Sequence, residues 1–263
     1  MLQGTTNLHD YAPRIPSRFE GTEMRCYSSL LNAGDLNSKT GANCRNIILR
    51  GKGTICGGGQ ELARKIIEDE RARIKSFLDD NEELVKSCEN HDTIPGRVRP
   101  RLINLSNCEN VWISGLTLKN APSWNVHMIY CNDIQTDHCR FVSEGVWNGD
   151  GWDPDSSTHC TLFASEFSTG DDAVAIKSGK NPEGNEINRP CAHIKVFDCR
   201  SECGHGICIG SEMSGGVEDV QIWDCDLAES LSGIEIKATP KRGGYVRGVT
   251  VRDCTAPRVM LHS

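Results

Sequence analysis

The sequence contains no long hydrophobic run and no surplus of basic residues. Nowhere in its 263 residues do about 20 apolar residues follow one another, which excludes a transmembrane helix of ordinary length. Its 29 Lys and Arg are outnumbered by 36 Asp and Glu, giving a formal net charge of −7, whereas nucleic-acid-binding domains usually carry a basic surplus. We therefore expect neither a membrane nor a nucleic-acid partner, although a local basic cluster can still bind an acidic ligand.

A zinc-binding pattern is also absent, although the chain has fourteen cysteines. No Cys-x-x-Cys pair occurs, and the shortest spacings join Cys199 to Cys203 and Cys203 to Cys208. We expect no metal and no cofactor. The first 21 residues lack the apolar segment of a secretory signal peptide. The expectation is a cytoplasmic protein with free thiols, or a secreted protein if the N-terminus is incomplete.

The second half of the chain repeats a short β-type pattern. Segments such as NDIQTDHCRF, AHIKVFDCRS and EDVQIWDCDL alternate apolar and polar residues and reach a small or apolar residue at a fixed place. These equivalent positions recur every 23 to 34 residues, at Leu116, Cys139, Ser165, Cys199, Cys225 and Cys254. A repeat of this length with β alternation and no helices between copies indicates a solenoid. We predict an all-β fold, a right-handed single-stranded parallel β-helix forming one domain over residues 1–263, with the cysteines in an inward ladder.

One segment, residues 57–96, departs from the β pattern. Its charged residues are mixed in sign, and its apolar residues recur at helical spacing. We predict a helical excursion around residues 60–88 on the surface of one coil; a lid or a dimer contact is the alternative. The last residues, VTVRDCTAPRVMLHS, still resemble a coil, and solenoids need end caps. We therefore expect a fragment truncated at one or both ends.

Polar clusters follow one another at intervals of about one coil. WNGDGWDPDSS contains Asn148 and Asp150, TGDDAVAIKSG contains Asp171 and Asp172, and CGHGICIGSEMSGG contains His205. Because equivalent positions of successive coils stack, these side chains should meet on one face. Two carboxyl groups can cleave a glycosidic bond, one as proton donor and one acting on water or the sugar, and clustering raises the pKa of at least one of them. A fourth cluster, GIEIKATPKRGGYVR, adds Lys237, Lys241, Arg242, Tyr245 and Arg247.

Several of these residues also have ordinary structural interpretations. Asp153 and Asp155 flank Pro154, so we expect them in a turn. Lys177 is either a solvated strand residue or a counter-charge for the aspartates. The basic run at residues 241–247 is typical of a solvated turn as well as of a ligand clamp.

Together the clusters resemble glycoside hydrolase family 28, the polygalacturonases and related pectin hydrolases. The four ordered motifs of that family correspond here to Asn148-Gly149-Asp150, Asp171-Asp172, Gly204-His205-Gly206 and Glu235-Ile236-Lys237. The resemblance covers about residues 100–255. It implies a right-handed parallel β-helix and hydrolysis of galacturonate linkages by single displacement with inversion, with a galacturonate-containing oligo- or polysaccharide as partner.

The resemblance also implies roles for individual residues. Asp171 would be the general acid, Asp150 and Asp172 would position and deprotonate water, and His205 would support the acid or contact the substrate. Lys237 would bind a galacturonate carboxylate. Further substrate contacts are expected from Asn148, Lys177, Lys241, Arg242 and Tyr245.

One position departs from the family pattern. Glu235 replaces the arginine of Arg-Ile-Lys, so Lys241, Arg242 and Arg247 are expected to take over carboxylate recognition. The GSEMSGG and KRGGYVR stretches resemble the exo-acting bacterial branch, which predicts exo action. The alternatives are a pectate-lyase-like β-elimination enzyme that uses Ca²⁺, and a non-catalytic carbohydrate-binding β-helix.

Overall fold

Three parallel sheets form the body of the chain. The computed structural model describes residues 1–88 and 90–262. Each coil passes through sheet I, sheet II and sheet III before the next coil begins, and each strand pairs in parallel with its equivalent in the neighbouring coil. This is the predicted parallel β-helix.

Most of the strands are short, and their order within each sheet follows the order of the coils. Sheet I consists of β1 (Leu2–Gln3), β6 (Thr54–Cys56), β9 (Thr117–Lys119), β12 (Arg140–Val142), β15 (Glu166–Ser168) and β18 (Arg200–Cys203). Sheet II consists of β4 (Leu31–Ala33), β7 (Ile103–Ser106), β10 (Val126–Ile129), β13 (Trp152–Asp155), β16 (Val174–Ile176), β19 (Gly206–Gly210), β21 (Gly233–Lys237) and β23 (Arg258–His262). Sheet III consists of β5 (Cys44–Arg50), β8 (Cys108–Ser114), β11 (Asn132–Asp137), β14 (Thr158–Phe163), β17 (Cys191–Phe197), β20 (Val217–Trp223) and β22 (Val246–Arg252).

The core runs along the inside of the solenoid, because alternate side chains of each strand point inward. Sheet II shows this register clearly, and one inward row consists of Val126, Trp152, Val174, Ile207 and Ile234. All five are buried. The residues between them on each strand point to the outer face, which is where the polar clusters lie.

The predicted cysteine ladder is present at the corner between sheets III and I. Cys139, Ser165, Cys199 and Cys225 are buried at equivalent positions, and Cys254 continues the row at partial burial. The backbone carbonyls of this row each accept an N–H from the next coil, as Cys139 does from Glu166. These thiols therefore act as small apolar side chains in the core.

The helical excursion is confirmed, with bounds close to the predicted ones. It comprises α1 (Gly59–Arg73), α2 (Lys75–Asp80) and α3 (Glu82–Ser87), followed by a 3₁₀ helix (His91–Gly96). Helix α1 buries Leu62 and Ile66 against Tyr11, Tyr27 and Val98. A further 3₁₀ helix (Leu8–Tyr11) and α4 (Glu183–Ile187) complete the helices. Among the residues that the structure describes, no helix is both long and apolar enough to cross a membrane.

An antiparallel hairpin covers one end of the outer face of sheet II. Its strands are β2 (Ile15–Phe19) and β3 (Thr22–Cys26). The Phe19 ring stacks on Trp124 with ring centroids 4.8 Å apart, and the Arg18 guanidinium lies 2.8 Å from the Asp155 carboxylate. The hairpin therefore seals charged residues of sheet II away from water and forms one wall of the face that carries the polar clusters.

The stacked pair Phe141 and Phe167 provides a test of the core. Their rings are parallel, with centroids 4.6 Å apart, and both are buried. Phe167→Ala should lower the free energy of unfolding by about 3–5 kcal/mol, because it removes apolar contacts and leaves a cavity. The measurement is urea unfolding followed by circular dichroism. Phe77→Ala in α2, where the ring is exposed, is the matched control and should change stability by less than about 0.5 kcal/mol. Equal losses in the two variants would contradict this account of the core.

Candidate active site

The motif residues from four coils converge near the N-terminal ends of neighbouring strands of sheet II. Asp150 lies just before β13, Asp171 and Asp172 before β16, and His205 before β19. Their spacing of one coil in sequence becomes adjacency in space, because β13, β16 and β19 are neighbours in the sheet. Lys237, at the end of β21, extends its side chain to the same place.

A close backbone approach explains the glycine before the paired aspartates. A Cβ on Gly170 would lie 2.4 Å from the carbonyl oxygen of Val146, in the preceding coil, so no larger residue fits. The chain turns here between sheets I and II, and the Asp171 side chain accepts the backbone N–H of Asp172 at 3.0 Å. The turn lets two adjacent aspartates serve one site, which a flat strand would not allow.

Asp172 is the most heavily hydrogen-bonded of the clustered carboxylates. One oxygen lies 3.0 Å from His205 Nδ1, 3.0 Å from Lys237 Nζ and 3.0 Å from Cys208 Sγ. Burial alone would raise the pKa of Asp172, but the hydrogen bond from His205 and the charge of Lys237 outweigh it and lower the pKa to about 2. Asp172 is therefore a carboxylate at neutral pH.

His205 bridges the two adjacent aspartates. Its Nδ1 lies 3.0 Å from an oxygen of Asp171 and 3.0 Å from an oxygen of Asp172. Hydrogen bonds to Asp171 and then to Asp172 raise the pKa of His205 to about 10. The ring is therefore protonated at neutral pH. The Asp171 side chain is 24% exposed, compared with 5% for Asp172, so it is the carboxyl of this pair that faces the open cleft.

Asp150 is buried and paired with Lys177. The Lys177 ammonium lies 3.1 Å from Asp150 Oδ2 and 2.8 Å from Asp153 Oδ1, and its Nζ is 3.7 Å from the centre of the Trp124 ring. Burial raises the pKa of Asp150 well above its usual range, and the charge of Lys177 opposes that rise. Lys177 is only 3% exposed. Its charge is enclosed between two carboxylates, and its contact with substrate stays a prediction.

The structure places Asp153 and Asp155 in a strand, so the expectation that they lie in a turn is wrong. Both point outward from β13, in the middle of sheet II, and both are fully buried. Pro154, the apparent turn signal, takes the inward position between them. Asp155 bonds the buried Arg18 and His127 at 2.8 and 3.2 Å, so the pair belongs to a charged layer beneath the hairpin.

Asn148 lies at the edge of the cluster, held by a buried arginine. Arg99 donates to Asn148 Oδ1 at 2.6 Å and to the Trp147 carbonyl at 2.7 Å. Burial lowers the pKa of Arg99 to about 9, and the neighbouring charge of Arg101 adds to that effect. A groove of about 660 Å³ opens beside the exposed Trp147 and is bounded by α1. Asn148 therefore lies between the carboxylates and this groove.

The remaining basic cluster does not form a single clamp. Arg242 is buried and pairs with Glu212 inside the loop, and its contact with substrate stays a prediction. The Tyr245 hydroxyl donates to Glu218 of sheet III at 3.1 Å, away from the outer face of sheet II. Lys241 is exposed in the same loop. Substrate contacts by Lys241 and Tyr245 stay predictions.

Cys208, which the sequence did not single out, lies on the floor of the site with Glu235, the residue at the position that departs from the family pattern. Cys208 contacts Asp172 and also lies 3.8 Å from Glu235 Oε2. Glu235 is nearly buried and pairs with His262 Nε2 at 2.7 Å. Strand alternation could have indicated both, because Cys208 and Glu235 are register partners that point outward. Glu235 therefore places a carboxylate beside the Asp172–Lys237 pair.

Within residues 1–88 and 90–262, one group of side chains has the spacing of a metal site, namely Asp171, Asp172 and His205. Their ligand atoms lie within 4.8 Å of one another. Lys237 and the protonated His205 ring already place positive charge on Asp172, so an added cation would have to displace them. The arrangement suits proton transfer between carboxyl groups, an imidazolium and a bound ligand.

Comparison with known proteins agrees with this geometry. Residues 18–259 match the glycosyl hydrolases family 28, and the chain belongs to that family. It is 39% identical over 160 residues to a probable polygalacturonase from Vitis vinifera, covering 60% of this chain and 33% of that protein. An exo-poly-alpha-D-galacturonosidase from Dickeya chrysanthemi is 24% identical over 268 residues, covering 96% of this chain and 44% of that protein.

A solved structure supports the same fold assignment. The chain superposes on a hyperthermoactive exopolygalacturonase from Thermotoga maritima with a TM-score of 0.74 and 25% identity. The match covers 95% of this chain and 62% of that one. The chain therefore spans a third to less than two thirds of the length of these proteins.

The bridging histidine gives a pH-dependent prediction. The folded-state pKa of about 10 lies above the ordinary value near 6.5, so the stabilisation by His205 is complete below about pH 6.5 and disappears as the pH rises through 10. The difference in free energy of unfolding between the wild type and His205→Gln should therefore shrink between pH 6.5 and 10. Ring resonances followed by NMR should titrate near pH 10, and Asp172→Asn should move the midpoint towards 6.5. A midpoint near 6.5 in the wild type would contradict the bridge.

Proposed function

We propose that this chain is a glycoside hydrolase that cleaves galacturonate linkages in pectin or pectic oligosaccharides, acting from chain ends. The observation that carries the proposal is the convergence of Asp150, Asp171 and Asp172 with His205 and Lys237 on one open face. Carboxylates of different protonation and exposure are what glycoside hydrolysis requires. The similar proteins from Vitis, Dickeya and Thermotoga are named for action on galacturonate polymers, which supports the substrate, and the names of the last two support exo action.

The three carboxyl groups differ in the roles they can take. Asp171 is the carboxyl of the pair that faces the cleft, so in its protonated form it can deliver a proton to the leaving oxygen. Asp172 stays ionised and can accept a hydrogen bond from water. Oδ1 of Asp150 has no hydrogen-bond partner among the described residues, so it can form a hydrogen bond with the same water. In an inverting mechanism, that water attacks as the proton is delivered.

The catalytic assignment predicts large losses of turnover. Asp150→Asn, Asp171→Asn and Asp172→Asn should each reduce hydrolysis of galacturonate oligomers by at least about 100-fold, because general acid–base catalysis contributes about 10²–10⁴. The measurement is the release of reducing ends, with thermal unfolding to verify the fold. Asp226→Asn, at an exposed carboxylate of the corner between sheets III and I, is the matched control and should retain activity.

The products distinguish this proposal from its alternatives. Hydrolysis with inversion gives a first product of opposite anomeric configuration by NMR, and exo action releases small units from chain ends. Ultraviolet-absorbing unsaturated products, lost on adding a chelator, would identify a β-elimination enzyme instead. Binding of oligomers with no turnover would leave a carbohydrate-binding protein, and internal fragments of long polygalacturonate would contradict exo action alone.

Glu235 should set a preference for less acidic substrates. Its carboxylate lies on the floor of the site, near Asp172 and Lys237, and should repel a galacturonate carboxylate bound there. Glu235→Gln should raise kcat/KM on unesterified oligogalacturonate relative to methyl-esterified oligomers by roughly fivefold, equivalent to about 1 kcal/mol.

The control for this prediction is a glutamate outside the cleft. Glu166 lies in β15 with 55% of its side chain exposed, and Glu166→Gln should leave the ratio of the two substrates unchanged. An unchanged ratio in Glu235→Gln as well would show that Glu235 does not contribute to substrate choice.

A further inference from the structure

We propose that Lys177 and Asp153 are positioning residues that hold the Asp150 side chain and fix its charge from beneath the substrate cleft. This inference rests on the proposed function, because it concerns the carboxylate that would receive the proton of the attacking water. Neither residue is assigned to this role by the motifs that identify the site. Both act through Asp150, since neither is exposed to the cleft.

The Lys177 ammonium contacts both carboxylates and joins the three side chains. Lys177 Nζ lies between Asp150 Oδ2, at 3.1 Å, and Asp153 Oδ1, at 2.8 Å. Asp153 points outward from β13, and Lys177 follows the end of β16, the neighbouring strand. The Trp124 ring closes the remaining side of the ammonium at 3.7 Å. These contacts hold the ammonium in one position, where it binds Oδ2 of Asp150. Oδ1 of Asp150 has no hydrogen-bond partner among the described residues.

Burial makes this arrangement necessary. Charges removed from water need a partner, because the low-dielectric interior strongly disfavours an isolated ion. Asp150 is buried beside the carboxyl groups of Asp153, Asp171 and Asp172, all of which favour its protonation. Lys177 is the cation in direct contact with it. Removing Lys177 should therefore raise the pKa of Asp150 further, and removing the charge of Asp153 should lower it.

Other charged groups lie near Asp150, Lys177 and Asp153, but they are themselves paired or more distant. Asp155, below Lys177, is neutralised by Arg18, and the pKa of the adjacent His127 is lowered by burial to about 3, which keeps the ring neutral. Glu212, from the loop after β19, adds a longer-range attraction for the Lys177 ammonium. Arg99 also interacts electrostatically with Asp150 at longer range. The direct contacts of Lys177 should therefore dominate the charge of Asp150.

Two substitutions should shift the titration of Asp150 in opposite directions. The Asp150 side-chain carboxyl is followed by ¹³C NMR, with the resonance assigned by its loss in Asp150→Asn. Lys177→Met should raise its midpoint, and Asp153→Asn should lower it, each by about 1–3 pH units, as expected for a charge at this distance. The acidic limb of the pH–rate profile on galacturonate oligomers should move with the midpoint in both variants. Lys195→Met, at an exposed lysine of β17, should move neither.

The NMR titration separates this inference from the proposed function. Opposite shifts support the inference even where no turnover is detected, since that result counts against the hydrolase proposal alone. Shifts in the same direction, or none, overturn the inference even when the wild type hydrolyses the substrate. If Lys177→Met fails to fold, the shift in Asp153→Asn decides, because Asn keeps the shape of the side chain and removes only its charge. A loss of stability without a shift would assign both residues a structural role only.

Discussion

The constraint on which the structure depends is the in-register stacking of parallel strands. Neighbouring coils lie at the strand spacing of about 4.8 Å, and every strand of sheet II pairs with its equivalent in the next coil. A residue therefore has as its neighbours the residues one coil earlier and one coil later. This constraint makes the core a set of like side chains in rows, and it gathers Asp150, Asp172, His205 and Lys237 from four separate coils into one site.

Stacking brings like charges together, which is electrostatically unfavourable. The N-terminal hairpin makes this worse by excluding water, and it also supplies a compensating cation. Rows of equivalent positions bring like charges close together, and the hairpin β2–β3 removes water from those at one end of sheet II. The same hairpin supplies Arg18, which meets Asp155 at 2.8 Å. Lys177 forms the corresponding ion pairs with Asp150 and Asp153. Buried carboxylates on this face are thus paired with cations from other strands, as low-dielectric burial requires.

The repeat made much of this predictable from sequence. The interval between motifs corresponds to one coil, so the meeting of Asp150, Asp171, Asp172 and His205 follows from the period alone. The pairing of the buried charges beneath them does not follow from the period, because it depends on the hairpin β2–β3, which has no counterpart in the repeat. Pro154 indicated a turn, since proline rarely occupies a central strand, yet here it points into the core.

The burial of two cations depends on the same missing information. Lys177 is indistinguishable in sequence from a lysine on a solvated strand, and only the covering hairpin and Trp124 decide that it is buried. Arg242 belongs to a loop whose path no period specifies, and its pairing with Glu212 depends on that path. Residues on the repeat were predictable in position, whereas residues whose partners lie outside it were not.

A gradient of exposure along sheet II gives chemically identical groups different properties. Asp153 is fully buried, Asp150 and Asp172 are nearly so, and Asp171 is the open member of the cluster. Cations occupy the enclosed side, where Lys177 contacts Asp150, and also the side of Asp172, where His205 and Lys237 hold its pKa near 2. Asp172 is therefore held as a carboxylate, and Asp171 is the carboxyl that the cleft exposes. In the proposed mechanism, this gradient distinguishes the proton donor from the water-binding carboxylates, and Glu235 adds a further negative charge on the floor of the site.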